Sequence, residues 1–412
     1  MRRTKSWSML RLHVLLPCIL LVIVVALIVI FSVRRARAPY FEVFLPPADR
    51  DLEGWGSMDS QTAARLQSVL DEAVNNLKMP GLQAYVRTPD NKTWFGVSGT
   101  VDFKRTALMR KDHILGVASV TKMFTAAVVL KLVDEGKLDL KDNLSKWFPD
   151  FPNAERITVR QLLNHTSGIP DIMRSFPVAG RAAINPRMMW NPKELIEVVA
   201  RKKPLFDPGT DESYSNMNYI LLGVIVEQVT GKAMHELYRE RIFAPLGLEH
   251  SFFPPHEPAP NRITGFDRDL VPLPGIHKHK PDNTSYSSLV YTCGAMVSTA
   301  EDIGRFLDSL FGGAILSAKT LHQMTDFCDL RDPRAPLLTG YGLGLFRHEI
   351  GGEELWGHEG QIFGFQAIAL YCPDKNYIIA VVGNVSAFNT AGVVAELQGV
   401  IASRTPEPAG SE

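Results

Sequence analysis

The chain has 412 residues, 45% of them apolar and 21% charged, and its 44 Lys and Arg balance 44 Asp and Glu. That composition supports one large or two small globular domains and excludes a global field drawing the molecule to nucleic acid or a polyanionic surface. Four cysteines, Cys18, Cys293, Cys328 and Cys372, show no CxxC spacing, which gives neither a zinc site nor an obligatory disulfide framework, although one pair could still form in an oxidising compartment.

A basic segment, residues 1–13, precedes "VLLPCILLVIVVALIVIFSV" at 14–33, a stretch without charge. At about 1.5 Å per residue it would span the roughly 30 Å of a hydrocarbon core, so a transmembrane signal-anchor helix is expected here. A cleaved signal peptide is the competing reading. It is supported by "ARA" at 36–38, and opposed by the length of the apolar run and by "RRAR" before any cut. Arg2, Arg3, Lys5 and Arg11 precede the run and Arg34, Arg35 and Arg37 follow it, a thin margin for a cytosolic N-terminus. The expectation is a single-pass membrane protein with its folded body on the extracytoplasmic side.

Residues 34–58, with prolines, mixed charge and no sustained period, read as a linker. A single domain is expected over 59–405, followed by a polar tail, 406–412. "SQTAARLQSVLDEAVNNL" from Ser60 repeats apolar positions at helical spacing behind a capping serine, and "MPG" ends it. "LQAYVRT" and "TWFGVSGTVD" alternate like antiparallel strands joined by the turn "PDNK". Residues 119–310 are mainly helical with many loops. From Gly340, "YGLGLFRHEI", "ELWGHEG", "FQAIALYC" and "NYIIAVVGNV" read as four strands, and "TAGVVAELQGVIAS" closes as a helix. Strands at both ends with helices between them predict an α/β (α+β) fold: an antiparallel β-sheet built from both termini, flanked by helices, with a mainly helical inserted subdomain.

Within "GVASVTKMFTAA", Ser119 stands three residues before Lys122 in an apolar helical stretch. Three residues turn a helix by about 300°, so hydroxyl and amine share a face. To accept the serine proton the amine must be neutral, and lowering a lysine from about 10.4 to about 7 costs roughly 4–5 kcal/mol, which burial and a second cation could supply. Alone, SxxK is usually a capping serine followed by a surface lysine. Tyr214 and Asn216 precede an apolar helix, where by themselves they read as a loop tyrosine and a cap; His358 and Gly360 lie in a strand, where a lone histidine is more often structural.

The order SxxK, YxN, HxG resembles the serine β-lactamase and penicillin-binding protein superfamily, in its class C and DD-peptidase-like branch. The resemblance extends to "LLNHTSGIPD", "FDPGTDESYSNMNY", "PLGLEHSFF" and "GAMVSTAEDIGRF" and covers about 59–400. It implies a β-lactamase/transpeptidase-like fold and an acyl-enzyme on Ser119. Lys122 and Tyr214 would manage the proton, with the choice of base open, and Asn216, His358 and Gly360 would bind substrate. The backbone N–H groups of Ser119 and Gln361 would form the oxyanion hole. It calls for no metal or cofactor. Relatives that recognise penicillin usually carry lysine where this chain has His358, so selection for a free carboxylate is weakened and a small-molecule, lipid-ester or peptide substrate (ester, amide or peptide bond) is expected. The alternatives are a catalytically silent binding or scaffold ectodomain, and a true β-lactamase or DD-carboxypeptidase.

His165 in "NHTSG" reads as part of a helix-end turn rather than a second base, and "HKHK" at 277–280 as a solvated loop rather than a metal site. Glu301 and Asp302 suit the first turn of a helix. Asn91, Asn143, Asn164, Asn283 and Asn384 begin glycosylation sequons, and Glu359 inside the last triplet would narrow the pocket.

Overall fold

The computed structural model describes residues 56–270, 273–280, 283–330 and 335–404. In chain order the strands are β1 Gly81–Arg87, β2 Thr93–Gly99, β3 Leu115–Gly116, β4 Gly265–Leu270, β5 Leu273–His279, β6 Val297–Ser298, β7 Cys328–Asp329, β8 Leu338–Tyr341, β9 Phe346–Ile350, β10 Glu353–Ile362, β11 Phe365–Cys372 and β12 Tyr377–Gly383. Eight of them form one sheet in the order β2-β1-β12-β11-β10-β9-β8-β7. The first and last strands meet near one edge of it, where β1, second in that order, pairs antiparallel with β12 in the register Tyr85↔Ala380.

Period-two alternation decides what each face of the sheet covers. Leu82, Ala84 and Val86 of β1, with Ile379 and Val381 of β12, pack under the terminal helices Ser60–Asn76 and Thr390–Ala402, against Leu66, Leu70, Val394 and Leu397. Tyr85, Ile378, Ala380 and Val382 point the other way, into the larger core shared with Phe306 and the helical subdomain. Two helices there, Thr121–Asp134 and Asn216–Thr230, are apolar nearly all round because protein surrounds them. Phe124 stacks on Phe306 with ring centroids 3.8 Å apart. A fully buried side chain of this size contributes about 1.5–3 kcal/mol.

Three expectations change. "YGLGLFRHEI" is two strands, β8 and β9, because Gly342–Leu345 form a turn between them, with Gly344 at φ +88°. His277, Lys278 and His279 of "HKHK" lie on β5, paired with β4, rather than in a solvated loop, and His279 Nε2 sits 2.6 Å from Asp267 Oδ2. The membrane localisation is also corrected: among the described residues no helix is long and apolar enough to cross a membrane. Ser60–Asn76, at 17 residues, is the longest of them, short of the roughly 30 Å a span requires, and the two helices that are apolar nearly all round spend their surface on the core. The anchor (14–33), the basic segment (1–13), the linker up to residue 55 and the tail (406–412) lie outside the described residues.

Candidate active site

Ser119 belongs to a single 3-10 turn, Ala118–Val120, that leads into the Thr121–Asp134 helix. The turn is pinned from behind: Val117 N–H donates to Met296 O at 3.2 Å and Thr121 Oγ1 donates to Ala118 O at 2.6 Å. Ala118 is held at φ +49°, an unfavourable region for a residue with a β-carbon, and the resulting kink turns Ser119 out to the cleft.

Lys122 is completely buried. Its Nζ lies 3.0 Å from Ser119 Oγ, 2.8 Å from Asn216 Oδ1 and 2.8 Å from the Cys293 carbonyl oxygen. A neutral amine has two N–H groups and one lone pair, so with the N–H groups committed to Asn216 and Cys293 the lone pair faces Ser119. Burial pushes the lysine down to about 8, against an opposing pull from the Asp171 carboxylate. Desolvation alone accomplishes this, and the second cation invoked from sequence is not needed.

Tyr214 hydrogen-bonds Ser119 through its hydroxyl, and burial drives the phenol well above its ordinary value. Its ring stacks on Phe346 at 5.9 Å between centroids, and the Lys122 Nζ lies 4.8 Å from its centre. Asn216 opens the next helix, and its backbone N–H and Nδ2 both reach the Asp171 carboxylate, at 3.2–3.3 Å. His358 is buried on β10, where its ring bonds the Glu359 carbonyl oxygen through Nδ1 and the Tyr341 hydroxyl through Nε2, 3.2 Å away. Burial first, then the charge of Lys122, lowers the imidazole well below its usual value, so it stays neutral.

Gly360 explains the close approach of β10 to the serine turn. A β-carbon there would lie 2.6 Å from Val117 O and 2.7 Å from Ser119 N, closer than any side chain tolerates. Two chambers flank the serine. One, of about 410 Å³, is the more polar of the two: Tyr214, Glu212, Arg174, His358 and Glu359 line it together with Leu330, Leu338 and Phe346. The other, of about 590 Å³, is apolar and is lined by Ile172, Met173, Val178, Leu289, Val290 and Phe363. Ser119 and Gln361 are the residues common to both.

The structure therefore gathers Ser119, Lys122, Tyr214, Asn216, His358, Gly360 and Gln361 at one place. Sequence reasoning passed over Asp171, although the "NHTSGIPD" block ends on it, and Tyr341, which no pattern marked. It also read His165 as purely part of a turn. That residue, at φ +62°, accepts from Ser213 N–H through its carbonyl oxygen and from Ser215 N–H through Nδ1, at 3.0 and 3.2 Å, holding Tyr214 from both sides. Among the described residues no group of three metal-ligating side chains converges.

A family model for Beta-lactamase matches residues 66–401. A D-aminopeptidase of Brucella anthropi is 29% identical over 299 residues, covering 71% of this chain and 53% of that protein. A second D-aminopeptidase from that organism is 27% identical, covering 82% and 62%. The chain thus spans about half to three-fifths of the length of these curated relatives. Among solved structures, the D-amino acid amidase from Ochrobactrum anthropi SV3 complexed with L-phenylalanine amide superposes with a TM-score of 0.74 at 31% identity, covering 83% of this chain and 99% of that one.

Proposed function

The chain belongs to the beta-lactamase family of serine hydrolases, and from that premise we propose that it cleaves amide bonds through an acyl-enzyme on Ser119, with D-amino acid amides or short peptides as its substrate class. The observation that carries this reading is the placement of Lys122, whose two other hydrogen-bonding directions are taken by Asn216 and Cys293, leaving its lone pair for Ser119.

Opposite pKa displacements divide the labour: burial makes the amine easier to deprotonate and the phenol harder, so Lys122 is the base and Tyr214 the proton donor. Lys122 takes the Oγ proton as Oγ bonds to the carbonyl carbon, and the backbone N–H groups of Ser119 and Gln361 receive the negative oxygen. Tyr214 passes its proton to the leaving nitrogen as the C–N bond breaks, and is reprotonated from Lys122. Water then attacks the acyl-enzyme by the reverse relay, freeing the acid and restoring the Ser119 hydroxyl. A neutral, buried His358 offers no charge to a substrate carboxylate, which separates this site from one built for penicillins. The substrate class is supported by the relatives' names and by the identity with the amidase.

The test is labelling of the purified protein by a fluorophosphonate, with Ser119→Ala as control, followed by a panel of D- and L-amino acid amides. Serine-dependent labelling and turnover of D-amides are expected. Absence of both would leave the catalytically silent binding protein as the better account, and efficient turnover of several β-lactams would refute the substrate class.

A further inference from the structure

The two chambers meet at Ser119 and Gln361, so a bound amide has its reacting carbonyl at the junction and one substituent in each chamber. Which substituent goes where follows from Tyr214. The group that protonates the leaving nitrogen must stand beside it, and Tyr214 lines the polar chamber but not the apolar one. The polar chamber therefore receives the leaving amine, and the apolar chamber holds the acyl side chain.

Inside the polar chamber Glu359 stands on β10 between His358 and Gly360, half-buried. No hydrogen bond or ion pair of its carboxylate occurs among the described residues, and burial is the single influence on its titration, raising it above the ordinary carboxylate range. Arg174 lines the same chamber but is exposed at its rim, and Glu212 adds a second carboxylate. A half-buried carboxylate with no partner gains most from an arriving cation, because the charge it must keep is poorly solvated. A leaving group ending in a carboxylate meets like charge at the same spot.

We propose that Glu359 selects the leaving group, favouring amines that carry a second, positively charged amino group and rejecting those that carry a free carboxylate. This rests on the amide-hydrolase reading above and narrows it: amides are favoured over short peptides with a free C-terminus, whose departing half bears a carboxylate.

The experiment compares three D-phenylalanine amides whose leaving amines are 1,3-diaminopropane, propylamine and β-alanine, hence cationic, neutral and anionic. For the unaltered protein kcat/KM should fall in that order, by at least tenfold from first to last. In Glu359→Gln the cationic-to-anionic ratio should drop at least tenfold towards one, and in Glu359→Lys it should invert. Ratios taken within one protein cancel any general loss of activity, and fluorophosphonate labelling of each variant checks that Ser119 remains reactive. The same order is read without turnover from the rates at which phosphonate esters with ammonium, neutral and carboxylate leaving alcohols label Ser119. Labelling by all three esters at equal rates, or a ratio unchanged in Glu359→Gln, overturns the role of Glu359 alone. No serine-dependent labelling by any of them overturns the hydrolase reading on which it stands.

Discussion

If Lys122 is the base, the pH dependence of Ser119 acylation reports its titration. Burial places the amine at about 8, against an ordinary lysine's 10.5; at 1.36 kcal/mol per unit this is a penalty of about 3 kcal/mol on the charged form. The neutral fraction at pH 7 is then roughly a tenth, whereas an unperturbed lysine would offer about one part in three thousand. Stopped-flow or gel-based rates of fluorophosphonate labelling should rise nearly tenfold from pH 6 to 7, about fivefold from 7 to 8, and level above about 9. Asp171 opposes the shift by favouring the ammonium, so Asp171→Asn should move the rising limb to lower pH even if it slows the plateau. The same titration has a stability counterpart: the unfolded chain binds the proton that the folded one has released between about 8 and 10.5, so stability rises with pH across that window. Denaturant unfolding should show the rise in the unaltered protein and not in Lys122→Met. A limb still climbing at pH 10, or one that moves upward in Asp171→Asn, would refute the assignment.

Tyr214→Phe removes the hydroxyl that meets Ser119 and should reduce amide hydrolysis by about 10²–10⁴-fold, with a smaller loss for an activated ester that needs no proton on its leaving group; steady-state kinetics on a matched amide and ester decide it. Gly360→Ala puts a β-carbon 2.7 Å from Ser119 N, so β10 must retreat from the serine turn; a loss of about 10²–10³ in kcat is expected, with far-UV circular dichroism unchanged. Phe124→Ala empties a fully buried position stacked on Phe306 and should cost about 3–5 kcal/mol in denaturant unfolding.

The primary sequence determined the parts whose evidence is local or periodic. The alternation of β1 and β2, the apolar runs of β11 and β12, the helical spacing from Ser60, and the SxxK, YxN and HxG motifs were all legible, because each is a pattern over a few neighbouring residues. So was the two-ended sheet, since strands at both termini have few other ways to bury their apolar faces. The pairing of β4 with β5 was not legible, since these two strands gain meaning only when Asp267 reaches His279 across the pair and Gly364 beyond it. Tertiary structure alone decided the titrations. Whether Lys122 is a surface ammonium or a buried base depends on Asn216 and Cys293, 94 and 171 residues away along the chain. It also decided that Glu359 lines the cleft with no partner among the described residues, because solvation and charge depend on what lies within a few ångströms in space, and a one-dimensional pattern carries no such distances.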